Sequence, residues 1–105
     1  MTPKEAYYIS KNNPSKFNMN KDYYESIIAT DACRSYMYSR YVLEGRFELG
    51  EKVIATHHGY SSTYAKNILK GRFELGEYIM FDRKYCIRNY MQFNENKTPI
   101  YYKFI

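Results

Sequence analysis

Two stretches of this chain carry residues at spacings that chemistry uses. Gly45-Arg46-Phe47-Glu48-Leu49-Gly50 and Gly71-Arg72-Phe73-Glu74-Leu75-Gly76 place two glycines five residues apart, the spacing of a phosphate-cradling P-loop. That loop continues with Lys and then Ser or Thr, whereas Glu51 and Glu77 follow here. A carboxylate at that position repels phosphate, so the phosphate-loop reading fails. His57-His58 is the only histidine feature. Adjacent residues of a helix point in different directions, and a metal site needs three or four ligands. Cys33 and Cys86 are too far apart in sequence to complete one by spacing alone. With no nucleophile–base signature and no zinc-protease motif, we expect no catalytic residues, no metal and no cofactor.

The block Gly-Arg-Phe-Glu-Leu-Gly-Glu has a different explanation, because it occurs twice. Glu25–Gly50 aligns without gaps on Glu51–Gly76, and thirteen of the 26 positions are identical. A catalytic set rarely appears twice at a repeat interval, whereas a packing joint between stacked units must. Gly45, Arg46, Phe47 and Glu51, with Gly71, Arg72, Phe73 and Glu77, are therefore assigned to a structural joint: Gly closes one helix, Phe fills the seam and Glu opens the next. Arg46 and Arg72 are expected to pair with Glu51 or Glu77, within a unit or across the junction. The flanks look like worn copies, so the organisation reads as one domain: a degenerate N-terminal cap (1–24), two units (25–50 and 51–76), a degenerate third (77–97) and an extended tail (98–105). In the cap, Tyr8 lies as far before Phe17 as Tyr38 does before Phe47.

The elements that must hold this joint read as helices, and the fold class as all-α with six or seven short helices. A longer helix spans about Ala32–Glu44, with its copy at about Ser62–Lys70. Thr30-Asp31 and Ser61-Ser62 offer cap oxygens, and Gly45 and Gly71 offer left-handed closure. Tyr38, Ser39, Val42 and Leu43 share one face, as do Tyr64, Ala65, Ile68 and Leu69. A shorter helix opens inside the joint, with Leu49 and Val53 as a buried stripe and His57-His58-Gly59 as its end. A further helix spans about Pro3–Lys11, stopped by Asn12-Asn13-Pro14, and another starts near Asn20. The tail, rich in aromatic and β-branched residues after Pro99, reads as extended. It offers a route to a homodimer.

Sixteen Lys and Arg against eleven Asp and Glu leave a formal charge of +5, a moderate bias toward acidic partners. Arg40 and Lys66 occupy one repeat position, so stacking would align them. Arg83, Lys84 and Arg88 could extend that line into a candidate binding face with interleaved tyrosines. Fourteen Tyr and six Phe are too many to be surface contacts alone, so most must pack. No leader opens the chain and no apolar run spans a bilayer. These features are those expected of an intracellular protein with reduced thiols and no membrane partner.

Lys70-Gly71-Arg72-Phe73 followed by Glu77, and preceded by Tyr64-Ala65 and Ile68-Leu69, resembles a short helical repeat of bacteriophage and giant-virus proteins. There Tyr-Ala is followed by Val/Ile-Leu/Ile-Lys-Gly-Arg-Phe/Trp and then Glu. Residues 36–80 carry the resemblance, and Glu44 departs from the usual Lys. The resemblance implies a helical-repeat fold and a viral or mobile-element origin, with no activity attached. The function expected is that of a non-enzymatic viral accessory protein in the host cytoplasm. It would bind a host protein, as an inhibitor of a defence or regulatory factor. The alternative is a DNA- or RNA-binding module.

Overall fold

Helix starts are written into the first residues. The Thr2 hydroxyl accepts the Glu5 amide at 3.1 Å, while the Glu5 carboxylate accepts the Thr2 amide at 3.2 Å. This reciprocal cap, with Pro3 in the first turn, starts α1 (Pro3–Asn12). Asn13 ends that helix and caps the next, accepting the Lys16 amide at 3.3 Å. Asn12-Asn13-Pro14 is therefore a corner between two helices rather than a plain stop, and α2 (Pro14–Met19) follows at once. The computed structural model of the chain describes residues 1–80, 88 and 90. The expected tail at 98–105, Cys86 and most of the third unit lie outside the described residues.

Helix α3 (Lys21–Ile28) leads to α4 (Ala32–Tyr38), which widens into a π-helical turn at Ser39–Leu43. A 3-10 turn (Glu48–Gly50) then opens α5 (Glu51–Ile54). The second copy repeats the plan with α6 (His58–Tyr64), a π turn at Ala65–Leu69 and α7 (Glu74–Met80). The described residues are mostly helical and contain no strand. None of their helices is long and apolar enough to cross a membrane. Helix α3 touches the 3-10 turn ahead of α5, and α5 touches α7, while α4 touches α6 with their π turns side by side.

Several sequence-based expectations are corrected. The second long helix starts four residues earlier than its Ser61-Ser62 signal, because His57 is its cap. His57 Nδ1 accepts the Gly59 and Tyr60 amides at 3.2 and 3.3 Å. At the equivalent point of the first copy, Asp31 Oδ2 accepts the Arg34 amide at 2.8 Å. His57-His58-Gly59 thus opens α6 instead of closing α5, because the His57 ring nitrogen accepts first-turn amides as the Asp31 carboxylate does in the first copy. The left-handed residues are Glu44 (φ 53°) and Lys70 (φ 52°), not Gly45 and Gly71, whose φ values are not positive. The chain turns one residue early because the π turn ends there: the Gly45 amide reaches Ser39 O at 3.0 Å and the Gly71 amide reaches Ala65 O at 3.1 Å.

The core forms two clusters. One gathers Ala6, Tyr7, Phe17, Tyr24, Ile28, Tyr38 and Phe47, and the other Tyr36, Ile54, Tyr64, Ala65, Phe73, Met80 and Tyr90. Burying each large ring contributes roughly 1.5–3 kcal/mol, so the tyrosines carry much of the packing. Of the two adjacent rings in α1 the buried one is Tyr7; Tyr8, the residue its spacing singled out, is exposed. Leu49 and Leu75 are also exposed. Leu49 lies in the 3-10 turn and Leu75 in the first turn of α7, both off the face that Ile54 and Met80 bury, so Leu49 and Val53 form no buried stripe.

Candidate functional site

The duplicated block is a hydrogen-bonded joint centred on a carboxylate. Glu51 is only 4% exposed and both its oxygens are engaged. Arg46 Nε donates to Oε2 at 2.6 Å and Nη2 donates to Oε1 at 3.1 Å, a two-pronged pair within one block. The Tyr64 hydroxyl, arriving from α6, also donates to Oε2 at 2.7 Å. That same hydroxyl accepts the Phe47 amide at 3.0 Å, so one phenol holds the block at both Phe47 and Glu51. The Phe47 ring lies against Tyr38, with centroids 4.8 Å apart.

Each of these contacts recurs 26 residues later. Arg72 Nε and Nη2 donate to Glu77 at 2.7 and 3.1 Å, the Tyr90 hydroxyl donates to Glu77 Oε2, and the Phe73 amide donates to Tyr90 Oη at 3.0 Å. The Phe73 ring meets Tyr64 at 5.1 Å. A partial version lies upstream, where Tyr38 Oη donates to Glu25 at 2.6 Å. There the residues aligned with Arg46 and Phe47 are Asn20 and Lys21. Burial pushes the Tyr64 and Tyr90 phenols well up, and the glutamates they face push them further. Tyr38 moves the same way for the same reasons. Phenols held neutral this firmly act as hydrogen-bond bridges, not as proton-transfer groups near neutral pH.

The second glycine of the block is the one with a steric demand. A Cβ on Gly50 would lie 2.7 Å from Phe47 Cδ2 and from Ser35 Oγ, and one on Gly76 would lie 2.5 Å from Ser61 Oγ. Those serines cannot easily yield, since Ser35 donates to Ile28 O and Ser61 to Ile54 O, each at 3.0 Å. By contrast a Cβ on Gly45 would meet nothing nearer than 3.9 Å.

Of the basic face, Arg40 and Lys66 are exposed. Arg40 leans on tyrosines: Nη1 donates to Tyr36 Oη at 2.7 Å, and the guanidinium lies 5.6 Å from the Tyr41 ring centre. Asn67 Nδ2 donates to the same Tyr36 Oη at 2.9 Å, which ties the two π turns together. An open cleft of about 430 Å³ runs between them, lined by Arg40, Glu44, Gly45, Asn67, Ile68 and Lys70. Arg88 is exposed on a helical residue, and Arg83 and Lys84 lie outside the described residues. Cys33 is a partly buried free thiol. Among the described residues no three His, Cys, Asp or Glu side chains gather as a metal site would require.

Sequence reasoning assigned Gly, Arg, Phe and Glu to the joint and left out its hydroxyl hub and its serine floor. The signal was present. Glu25 to Tyr38, Glu51 to Tyr64 and Glu77 to Tyr90 are three equal intervals, more regular than anything else in the third unit.

No family model matches the chain, and no curated protein or solved structure is similar to it.

Proposed function

We propose that this chain is a non-enzymatic, virus-encoded accessory protein of helical-repeat type. It would act in the host cytoplasm by binding a host protein, as an inhibitor of a defence or regulatory factor. The observation that carries the reading is the fate of the polar groups in the duplicated block. Arg46, Arg72, Glu51 and Glu77, the residues whose types could do chemistry, are spent on one another and on buried tyrosines. What remains for function is surface. Exposed Tyr and Arg side chains, the types that dominate binding hot spots, include Tyr8, Tyr23, Tyr41, Tyr78 and Arg40. The viral origin rests on the resemblance of residues 36–80 to the phage and giant-virus repeat.

A nucleic-acid partner is the second reading, favoured by one observation: Arg40 and Lys66 are exposed at equivalent positions of adjacent π turns. The test is capture of partners from a host extract by the tagged full chain, with and without nuclease. Retention of a defined host protein after nuclease supports the leading reading, and its loss transfers the case to nucleic acid. Arg40→Glu with Lys66→Glu sharpens the choice. Nucleic-acid binding that falls steeply with salt should weaken at least tenfold in this variant, whereas a protein partner held elsewhere should be unaffected.

A further inference from the structure

The two units open their long helices at aligned positions with different chemistry. Asp31 and His57 occupy the same place in the repeat, and each precedes its helix with extended backbone, at φ −126° and −124°. Asp31 accepts the Arg34 amide through a carboxylate oxygen. His57 accepts two amides, those of Gly59 and Tyr60, through Nδ1. The ring lies close over the turn: a Cβ on Gly59 would stand 3.3 Å from its Cε1. First-turn amides have no carbonyl of their own helix to reach, so the cap is what satisfies them. A carboxylate accepts throughout the neutral and mildly acidic range. An imidazole nitrogen accepts only while it carries no proton. The neutral ring, with its hydrogen on Nε2, is therefore the form that caps α6.

Protonation opposes this helix start in three ways of the same sign. It puts a hydrogen on Nδ1, so that a donor faces two donors. It places positive charge at the positive end of the helix dipole. It also sets like charges against each other, because His58 stacks on His57 with ring centres 5.1 Å apart. The surroundings do not offset these effects. Helix α6 packs against α4, α5, α7 and the π turn that continues it. From the start of α4 come Asp31, Cys33 and Arg34, which reach the neighbourhood of the Tyr60 phenol with mixed sign. Glu51 of α5 and Glu74 and Glu77 of α7 are turned to Arg46 and Arg72, and Lys52 and Lys66 are exposed. Among the described residues no ion pair involves His57, so no carboxylate stands ready to hold an imidazolium there. The Tyr60 ring, 4.5 Å away, offers a cation only the weak attraction of an aromatic face at an exposed site.

We infer that His57 is an acid-sensitive latch on the second unit. With the ring neutral, the cap holds the first turn of α6 and keeps Tyr60 against Tyr36 of α4, their rings 5.9 Å apart. Histidine changes charge between about pH 8 and 5. The cap's contribution is full at the upper end of that range and is lost as pH falls through it. The start of α6 is then released, while the Asp31 carboxylate keeps the first unit capped. The chain thus carries one acid-sensitive unit beside one that is not, whichever macromolecule it binds.

His57 and His58 are the only histidines of the chain, so thermal melts of the full chain at about pH 7.5 and 5.5 isolate them from the carboxylates, which titrate lower. The wild type should melt about 4–8 °C lower at the acid pH, the shift that losing one cap causes in a domain of this size. His57→Asp copies the first unit and should remove most of that difference. His57→Ala should melt low at both pH values, whereas His58→Gln should keep most of the difference. In nuclear magnetic resonance spectra the Gly59 and Tyr60 amides should shift across this pH range and the Arg34 amide should stay in place. Equal midpoints of the wild type at the two pH values, a difference that survives His57→Asp, or one that His58→Gln abolishes would each overturn the latch. So would Gly59 and Tyr60 amides that do not respond to pH.

Discussion

Single residues decide how each long helix ends, and they end in an unexpected way. Glu44 and Lys70 hold the left-handed conformation that Cβ sterics disfavour by about 1–2 kcal/mol. Replacing either with glycine should stabilise the protein by about 0.5–1 kcal/mol, once the glycine's greater unfolded-state freedom is offset. Gly45→Ala should be near neutral, because its Cβ would enter open space. Gly50→Ala should destabilise by about 1–3 kcal/mol through overpacking against Phe47 and Ser35. Chemical-denaturation midpoints of the four variants check this order, and a Gly45→Ala variant weaker than Gly50→Ala would contradict it. The sequence revealed that glycine matters here but not which glycine. The left-handed residue is selected by the π turn, whose wider ring shifts closure by one position, and no residue type announces a π turn. Helix starts were more legible where the cap was Thr2 or Asp31 than where His57 does the same task with a ring nitrogen.

At the scale of the element, the joint couples helix to helix through phenols that burial and the facing glutamates keep protonated. The sign follows from the direction of the shifts. Tyr38, Tyr64 and Tyr90 are raised in the folded chain above their ordinary value of 10.0. Their contribution is therefore fully present below pH 10 and is lost as pH rises toward the folded values. Above about pH 10 each phenol removes up to about 1.4 kcal/mol of stability per pH unit, and the three act together. Helical circular dichroism should hold to about pH 10 and then collapse cooperatively, with the buried phenols ionising in the same transition. Tyr64→Phe should make that transition shallower. Smooth ionisation of all fourteen tyrosines near pH 10 with the helices intact would refute the arrangement. The joint's members were readable from the repeat, because a block retained twice beside diverged neighbours calls for a shared packing reason. Its geometry was not, since nothing in Gly-Arg-Phe-Glu-Leu-Gly-Glu says that a tyrosine seventeen residues on will accept the Phe amide.

For the molecule as a whole, the equal spacing of these contacts makes a demanding prediction about modularity. Excision of residues 51–76 joins Gly50 to Glu77. Arg46 then stands five residues before Glu77, and Phe47 seventeen before Tyr90, the intervals at which Arg72 and Phe73 meet the same partners. If stability is a sum of unit and interface contributions, the shortened chain should fold, with helicity per residue unchanged. Losing one unit and one joint, about 2–3 kcal/mol, should lower the thermal midpoint by roughly 10–20 °C. Duplication of 51–76 should raise it, until the end units limit the gain. The alternative is a single core that needs every helix at once. In the present chain Tyr38 and Tyr64 each belong to one of two separate clusters; Phe47 and Phe73 each pack on the tyrosine of their own unit, and their amides donate to the tyrosine hydroxyl of the next. The excision variant distinguishes the two: a cooperative melt supports units that fold by stacking, whereas loss of cooperative unfolding supports one indivisible core.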